Sequence, residues 1–133
     1  MLDEPKDVVL EFLNAFPEGR IEDAIALMAD DCECWYTGAG TVSRDDFANG
    51  MRALNAAVES VVCTIKEIIQ EGNRIAVEYS NRAPLKNGKL YTNTYHSKFV
   101  VENGKITVIR EYLDSLHVAQ VLRGIAPNVP EDP

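Results

Sequence analysis

Glu111 is the residue whose neighbours best suit it to proton chemistry. Under strand alternation Ile109, Glu111 and Leu113 share one face, and Arg110, Tyr112 and Asp114 the other. A carboxylate between two apolar same-face neighbours sits in a low-dielectric hollow. Desolvation there raises its pKa toward the range useful for an acid or base. The structural alternative pairs Glu111 with Arg82 as an ion pair. Asn93, Tyr95 and Ser97 share a face of the neighbouring strand with Phe99. Polar groups among large apolar ones fit a pocket wall that orients a ligand; the alternative is a solvated or dimer-facing surface. His96 points away from Tyr95 unless a bulge intervenes. Glu78, Ser80 and Arg82 share one face, with Ile75, Val77 and Tyr79 on the other. Simple amphipathicity sends that polar face outward. Trp35 and Tyr36 are candidate pocket-mouth aromatics, with core packing as the alternative. Asp114 is expected to cap the final helix, and His117 to lie on that helix's outer side.

The three cysteines are an odd number and form no disulfide framework, so reduced thiols are expected. Cys32 and Cys34 fall on one strand face. Without a second pair or a histidine at ligand spacing they do not make a metal site. The formal net charge of −8 argues against a nucleic-acid partner, because an acidic surface repels a phosphate backbone. No stretch approaches the roughly 20 apolar residues of a membrane span. The opening Met1-Leu2-Asp3-Glu4-Pro5-Lys6-Asp7 is too acidic for a secretory signal, which places the chain in the cytoplasm.

These side chains need elements to hold them. Val8, Val9, Phe12, Leu13 and Phe16 line one face of a helix over residues 5–16, opened by Pro5 and ended by Pro17 and Gly19. Ile21, Ala24, Ile25 and Met28 predict a second helix over about 20–29. A short strand is expected over 32–36, then a loop at Gly38-Ala39-Gly40. A third helix opens at Ser43 with Asp46 as a weakened capping box, its inner face carrying Phe47, Met51 and Leu54. From Val58 the period becomes two. Four strands are predicted over 58–70, 74–83, 89–102 and 105–113, joined by Glu71-Gly72-Asn73, Lys86-Asn87-Gly88 and Asn103-Gly104. Asn-Gly is a strong hairpin signal because both residues tolerate positive φ. A short helix over 115–122 stops at Gly124. Helices segregated from a long-stranded meander make the fold class α+β. Residues 1–125 form one domain, and 126–133, with three prolines and two acids, a poorly ordered tail. Twisted strands covered on one face by helices curl into a cone around a pocket.

Several segments carry a resemblance. Met28-Ala29-Asp30-Asp31-Cys32, Gly88 to Tyr95, Asn103-Gly104-Lys105-Ile106 and Arg110-Glu111-Tyr112-Leu113-Asp114 resemble the NTF2-like superfamily, in its SnoaL-like, ketosteroid-isomerase-like branch. The resemblance implies a cone-shaped curved antiparallel sheet with three N-terminal helices closing a pocket. It is specific for fold and poor in functional information, because the fold hosts isomerases, cyclases, hydrolases and non-catalytic binders. The ketosteroid isomerases' general-base Asp falls near Tyr36, a poor base with an ordinary pKa of about 10. Their oxyanion acid falls near His96. Limonene-type epoxide hydrolases are similar from Asn87 to Asp114. Their water-activating Asp falls on Glu111, and their Arg-x-Asp pair on Ser80 and Arg82 or on Arg82 and Pro84, without the acid. That comparison turns Arg82 inward. SnoaL-type cyclases use a last-strand carboxylate, which resembles Glu111, and this chain departs from them least.

Two functions follow as expectations. The first is an acid/base enzyme of isomerase, cyclase or hydrolase type, without metal or cofactor, on a small, largely apolar molecule. Glu111 and Arg82 would be catalytic, and Tyr36, Asn93, Tyr95, Trp35 and His96 would line the substrate. The second is a non-catalytic ligand-binding or dimerising module with the same pocket. In either case a homodimer is expected, because the outer sheet face carries Tyr79, Val100 and Tyr112.

Overall fold

The computed structural model describes residues 4–125 of the chain. The predicted tail at 126–133 lies outside the described residues. Helix α1 runs Pro5–Ala15 with Pro in its first turn, and buries Val8, Val9, Phe12 and Leu13. Helix α2 is Ile21–Ala26 and strand β1 is Met28–Tyr36. The predicted second helix therefore ends early. The Arg44 guanidinium reaches the carbonyls of Ile25, Met28 and Ala29 at 3.1–3.4 Å. Ile106 N–H donates to the Leu27 carbonyl at 2.8 Å, drawing the chain into the sheet. Met28 faces the core under either conformation, which is why the helical spacing misled.

Strand β2, Gly40–Val42, pairs back onto β1 where only a loop was expected. Helix α3, Arg44–Ala57, opens at the expected cap: Ser43 Oγ accepts from Asp46 N–H at 3.0 Å. Strands β3 (Val62–Glu71), β4 (Arg74–Pro84), β5 (Leu90–Glu102) and β6 (Lys105–Tyr112) follow. Strand β3 begins four residues later than predicted, since Val58 makes only an isolated bridge to Leu85. Helix α4, Ser115–Val121, is capped by Asp114, whose Oδ1 accepts from His117 N–H at 3.1 Å.

The sheet order is β2-β1-β6-β5-β4-β3. The predicted antiparallel meander runs from β3 to β6. β1, however, joins β6 in parallel, so the sheet is mixed and not wholly antiparallel. Register shifts fall between Ile65 and Glu67 on β3, and across Val100 and Val101 against β6. Each inserts a residue, so that Ile65 with Ile68, and Ile106 with Ile109, turn to the same face despite odd spacing. Bulges of this kind increase local twist and curl the sheet around its inner face. The core fills that concavity: Ile75, Val77, Phe99, Ile106 and Ile109 are fully buried, and Phe12 of α1 meets Phe99 edge-on at 5.9 Å. The class is α+β, with an unclosed curved sheet and helices over its concave side. Among the described residues no helix is long and apolar enough to cross a membrane.

Candidate active site

Inner-facing positions of β4, β5 and β6 bring the polar side chains together. On β4 the inward set is Ile75, Val77, Tyr79, Asn81 and Ala83; on β5 it is Tyr91, Asn93, Tyr95, Ser97 and Phe99. Glu111 of β6 stands opposite Ser97 in the antiparallel register and beside Tyr36 in the parallel one. Its backbone is held by Thr37: the Thr37 N–H donates to the Glu111 carbonyl at 3.0 Å, and Thr37 Oγ1 accepts from Leu113 N–H at 3.3 Å. The parallel β1–β6 pairing thus fixes where Glu111 stands.

A cavity of about 160 Å³ opens between this wall and the helices. Phe12, Leu13 and Phe16 of α1, Phe47, Met51 and Leu54 of α3, and Val118 and Leu122 close it with apolar surface. Tyr36, Cys63, Tyr79, Asn81, Tyr91, Tyr95 and Glu111 supply the polar atoms. Glu111 and the exposed Asp46 are the charged groups among the described lining residues. Neither has a cation beside it in the cavity wall.

The Tyr79 hydroxyl donates to Glu111 Oε2 at 3.3 Å. Its oxygen lies 3.1 Å from Ser97 Oγ, and since the tyrosine hydrogen is directed at Glu111, the fully buried Ser97 donates. Burial pushes the Glu111 carboxyl up from 4.5 to about 7, and the Tyr79 hydrogen bond pulls it partly back. The residue is half-buried and lines the cavity. The ion pair with Arg82 does not form. Burial pushes Tyr91 up to about 12 and raises Tyr79 and Tyr95 well above the ordinary phenol value, so all three phenols stay protonated and serve as donors. Tyr79 and Tyr95 stack with centroids 4.9 Å apart.

Of the sequence candidates, Glu111, Tyr36 and Tyr95 meet in this cavity. Asn93 is buried in the same wall but is engaged structurally: Nδ2 donates to the Tyr91 hydroxyl and to the Asp114 carbonyl, and Oδ1 accepts from Asp114 N–H, each at 3.0 Å. Arg82, His96 and Trp35 do not face the cavity. Arg82 and His96 are exposed on the convex face, since the even positions of β4 and β5 point outward without a bulge to invert them. Amphipathicity was the sound guide for Arg82. Trp35 also lies on the convex side, beneath the Arg110 guanidinium at 4.3 Å and against Tyr112 at 4.8 Å. Tyr79, expected outside, is buried inside. His117 is not on the outer side of its helix either: its ring stacks on Tyr91 at 5.9 Å, and its buried Nε2 has no partner among the described residues. Tyr79, Tyr91 and Asn81 were missed. Strand parity alone would have found them, because each shares a face with a residue already singled out or with the apolar set of its strand.

Comparison with known proteins places the fold. A SnoaL-like domain model matches residues 9–109. No curated protein sequence matches the chain. An NTF2-like protein of unknown function from Burkholderia pseudomallei is 20% identical, with TM-score 0.75, over 90% of this chain and 98% of its own. An LEH-like epoxide hydrolase from M. tuberculosis is 22% identical, with TM-score 0.73, over 90% of each chain. IdmH from Streptomyces antibioticus, provisionally assigned as a polyketide cyclase, is 20% identical, with TM-score 0.73, over 86% of this chain and 95% of its own. At these identities the likeness is one of fold.

Proposed function

This chain belongs to the SnoaL-like domain family, whose model spans residues 9–109, and from that premise we propose that it is a cofactor-independent acid/base enzyme on a small, largely apolar substrate. The observation that carries this reading is the Glu111 carboxyl, held at about 7 by burial in an apolar cavity and hydrogen-bonded by Tyr79 with no cation beside it. A group with that pKa is populated as base and as acid near neutrality, which is the condition for efficient proton transfer. Similar folds include an epoxide hydrolase and a provisional polyketide cyclase, which supports a small organic molecule as substrate. Epoxide opening needs a second acid for the leaving oxygen. The other carboxyl of the described lining, Asp46, is exposed. Isomerase- or cyclase-type proton transfer next to a carbonyl therefore fits better than hydrolysis.

A binding module of the same fold is the second reading, favoured by the outward placement of Arg82 and His96, which leaves Glu111 as the one deep carboxyl of the described wall. Substituting Glu111→Gln separates the two. In an enzyme it lowers turnover by about 10²- to 10⁴-fold while ligand affinity stays within a few-fold. If turnover is unchanged, Glu111 is no proton-transfer group; if the native chain binds ligand without turning it over, the binding module stands. We also propose that a second copy covers the convex face, where Val62 (60% exposed), Ile69 (56%) and Tyr112 (46%) stand out of the sheet.

A further inference from the structure

Helix α3 carries a glycine that its backbone does not require. Gly50 lies mid-helix between Arg44 and Ala57, in a conformation that any residue adopts. It is not among the glycines of positive φ. Glycine is among the least favourable residues for a helix interior, because it has the most conformational freedom to lose. Its surroundings supply a different reason for it to be small. Asp46, Gly50 and Leu54 follow at a spacing of four, and all three line the cavity. Residues four apart stand one above the other on a helix face. The stripe therefore runs from the exposed Asp46, over the half-buried Gly50, to Leu54. Gly50 is the one position on it without a side chain.

The opposite bank is the end of α1, where Phe16 and Pro17 line the same cavity and are partly exposed. Helix α1 packs on α2 and on β3 to β6, whereas α3 packs on α2 and β1, so a cleft runs between α1 and α3. Both banks are tied down. Arg44 holds the start of α3 to the carbonyls of Ile25, Met28 and Ala29, and the Arg52 guanidinium forks onto both Glu22 carboxylate oxygens at 2.8 and 2.9 Å. At the end of α1, Arg20 N–H donates to the Ala15 carbonyl at 2.9 Å and Gly19 N–H to the Phe16 carbonyl at 3.0 Å. The width of an opening between fixed banks is set by side-chain size. We propose that Gly50 is the entry point of the cavity: the side chain it lacks is the gap through which a ligand passes between α3 and the end of α1. A side chain at position 50 leans toward the helix N-terminus, which carries it across that passage toward Asp46. The inference needs only that the cavity takes a ligand, which the enzyme and the binding module have in common.

The test uses fluorobenzene as probe on the full chain, because a cavity of about 160 Å³ is close to the engineered cavity of about 150 Å³ that admits benzene. Fluorine NMR exchange reads its association and dissociation rates and, from their ratio, Kd. Gly50→Leu is expected to slow both rates by about tenfold or more while Kd stays within about threefold, since narrowing a passage raises the barrier and leaves the bound state alone. Gly50→Ala is expected to slow both rates about threefold and to raise the melting temperature by about 2–4 °C, alanine being the better helix former. Should the leucine variant not fold, the alanine variant decides alone. A lowered melting temperature for Gly50→Ala would show that packing requires the glycine. A weakened Kd with unchanged association would make position 50 part of the binding wall. Unchanged rates in both variants, with slowing by Val118→Phe on the α4 side, would put the passage there. Each of these outcomes overturns the entry point. No saturable binding of fluorobenzene by the native chain overturns it as well, and leaves the proton chemistry of Glu111 to the separate Glu111→Gln comparison.

Discussion

Glu111 shows how one buried carboxyl ties stability to reactivity. Its folded pKa of about 7 lies above the ordinary 4.5. Below about 4.5 both folded and unfolded chains hold the proton, and the group costs nothing. Between those values the unfolded chain releases a proton that the folded chain keeps. Stability therefore falls as pH rises through this window, and levels off above about 7. The loss is on the order of 3 kcal/mol, from about 1.4 kcal/mol per pKa unit. Urea unfolding of the native chain and of Glu111→Gln at pH 4.5 to 8 measures it: the difference between the two curves should grow with pH. A constant difference would mean that the carboxyl is solvated. If Glu111 acts as base, the rate should climb over the same range in which stability declines. This residue was legible in the sequence, because Ile109 and Leu113 flank it on its own face. Its partner was not. Tyr79 sits 32 residues upstream, and only the meander register brings its hydroxyl to the carboxylate.

Elements were legible where local chemistry decides them. Ser43 and Asp114 cap their helices as the sequence led one to expect, and the Asn103-Gly104 turn takes positive φ at both residues, 52° and 75°. What failed were boundaries set by distant groups: Arg44 closing α2, and β6 taking β1 in parallel. The β1–β2 turn has the same character. Gly38 has φ of 93°, and a Cβ built on it would lie 2.8 Å from Ser115 Cβ. That turn thus needs glycine twice over, for its backbone and for the close approach of α4. Gly38→Ala should lower stability by about 1–3 kcal/mol, the range for a forced backbone conformation, as read by thermal unfolding. It should also loosen α4, whose neighbouring Val118 and Leu122 wall the cavity. An unchanged melting temperature would show that the turn yields freely.

For the whole molecule the open question is the convex face. Trp35, Arg110 and Tyr112 form a stacked group there, with Val62 and Ile69 exposed at the far strand. If a second copy covers it, sedimentation equilibrium should return twice the chain mass of 14.8 kDa. Tyr112→Lys should shift the mass toward one chain without altering the cavity, since Tyr112 points away from it. A single-chain mass for the native protein would remove the proposed dimer. The net charge of −8 acts at this scale too, favouring an uncharged ligand over an anion at the cavity mouth, where Asp46 stands.

The sequence by itself determined the α+β class, the order of elements apart from β2, the three meander turns and the inward face of β6. Each follows from short-range periodicity, turn chemistry or side-chain alternation, which involve residues a few positions apart. The resemblance carried by Gly88–Asp114 pointed to the same fold. Only the tertiary structure decided that Arg82, His96 and Trp35 stand outside, that β1 runs parallel to β6, and that Tyr79, Tyr91, Tyr95 and Glu111 share one cavity. Those facts depend on which way whole strands face once bulges and pairings far apart in the chain are set. A one-residue slip inverts every side chain of a strand, so the face that turns inward is fixed by burying the most apolar surface across all six strands together.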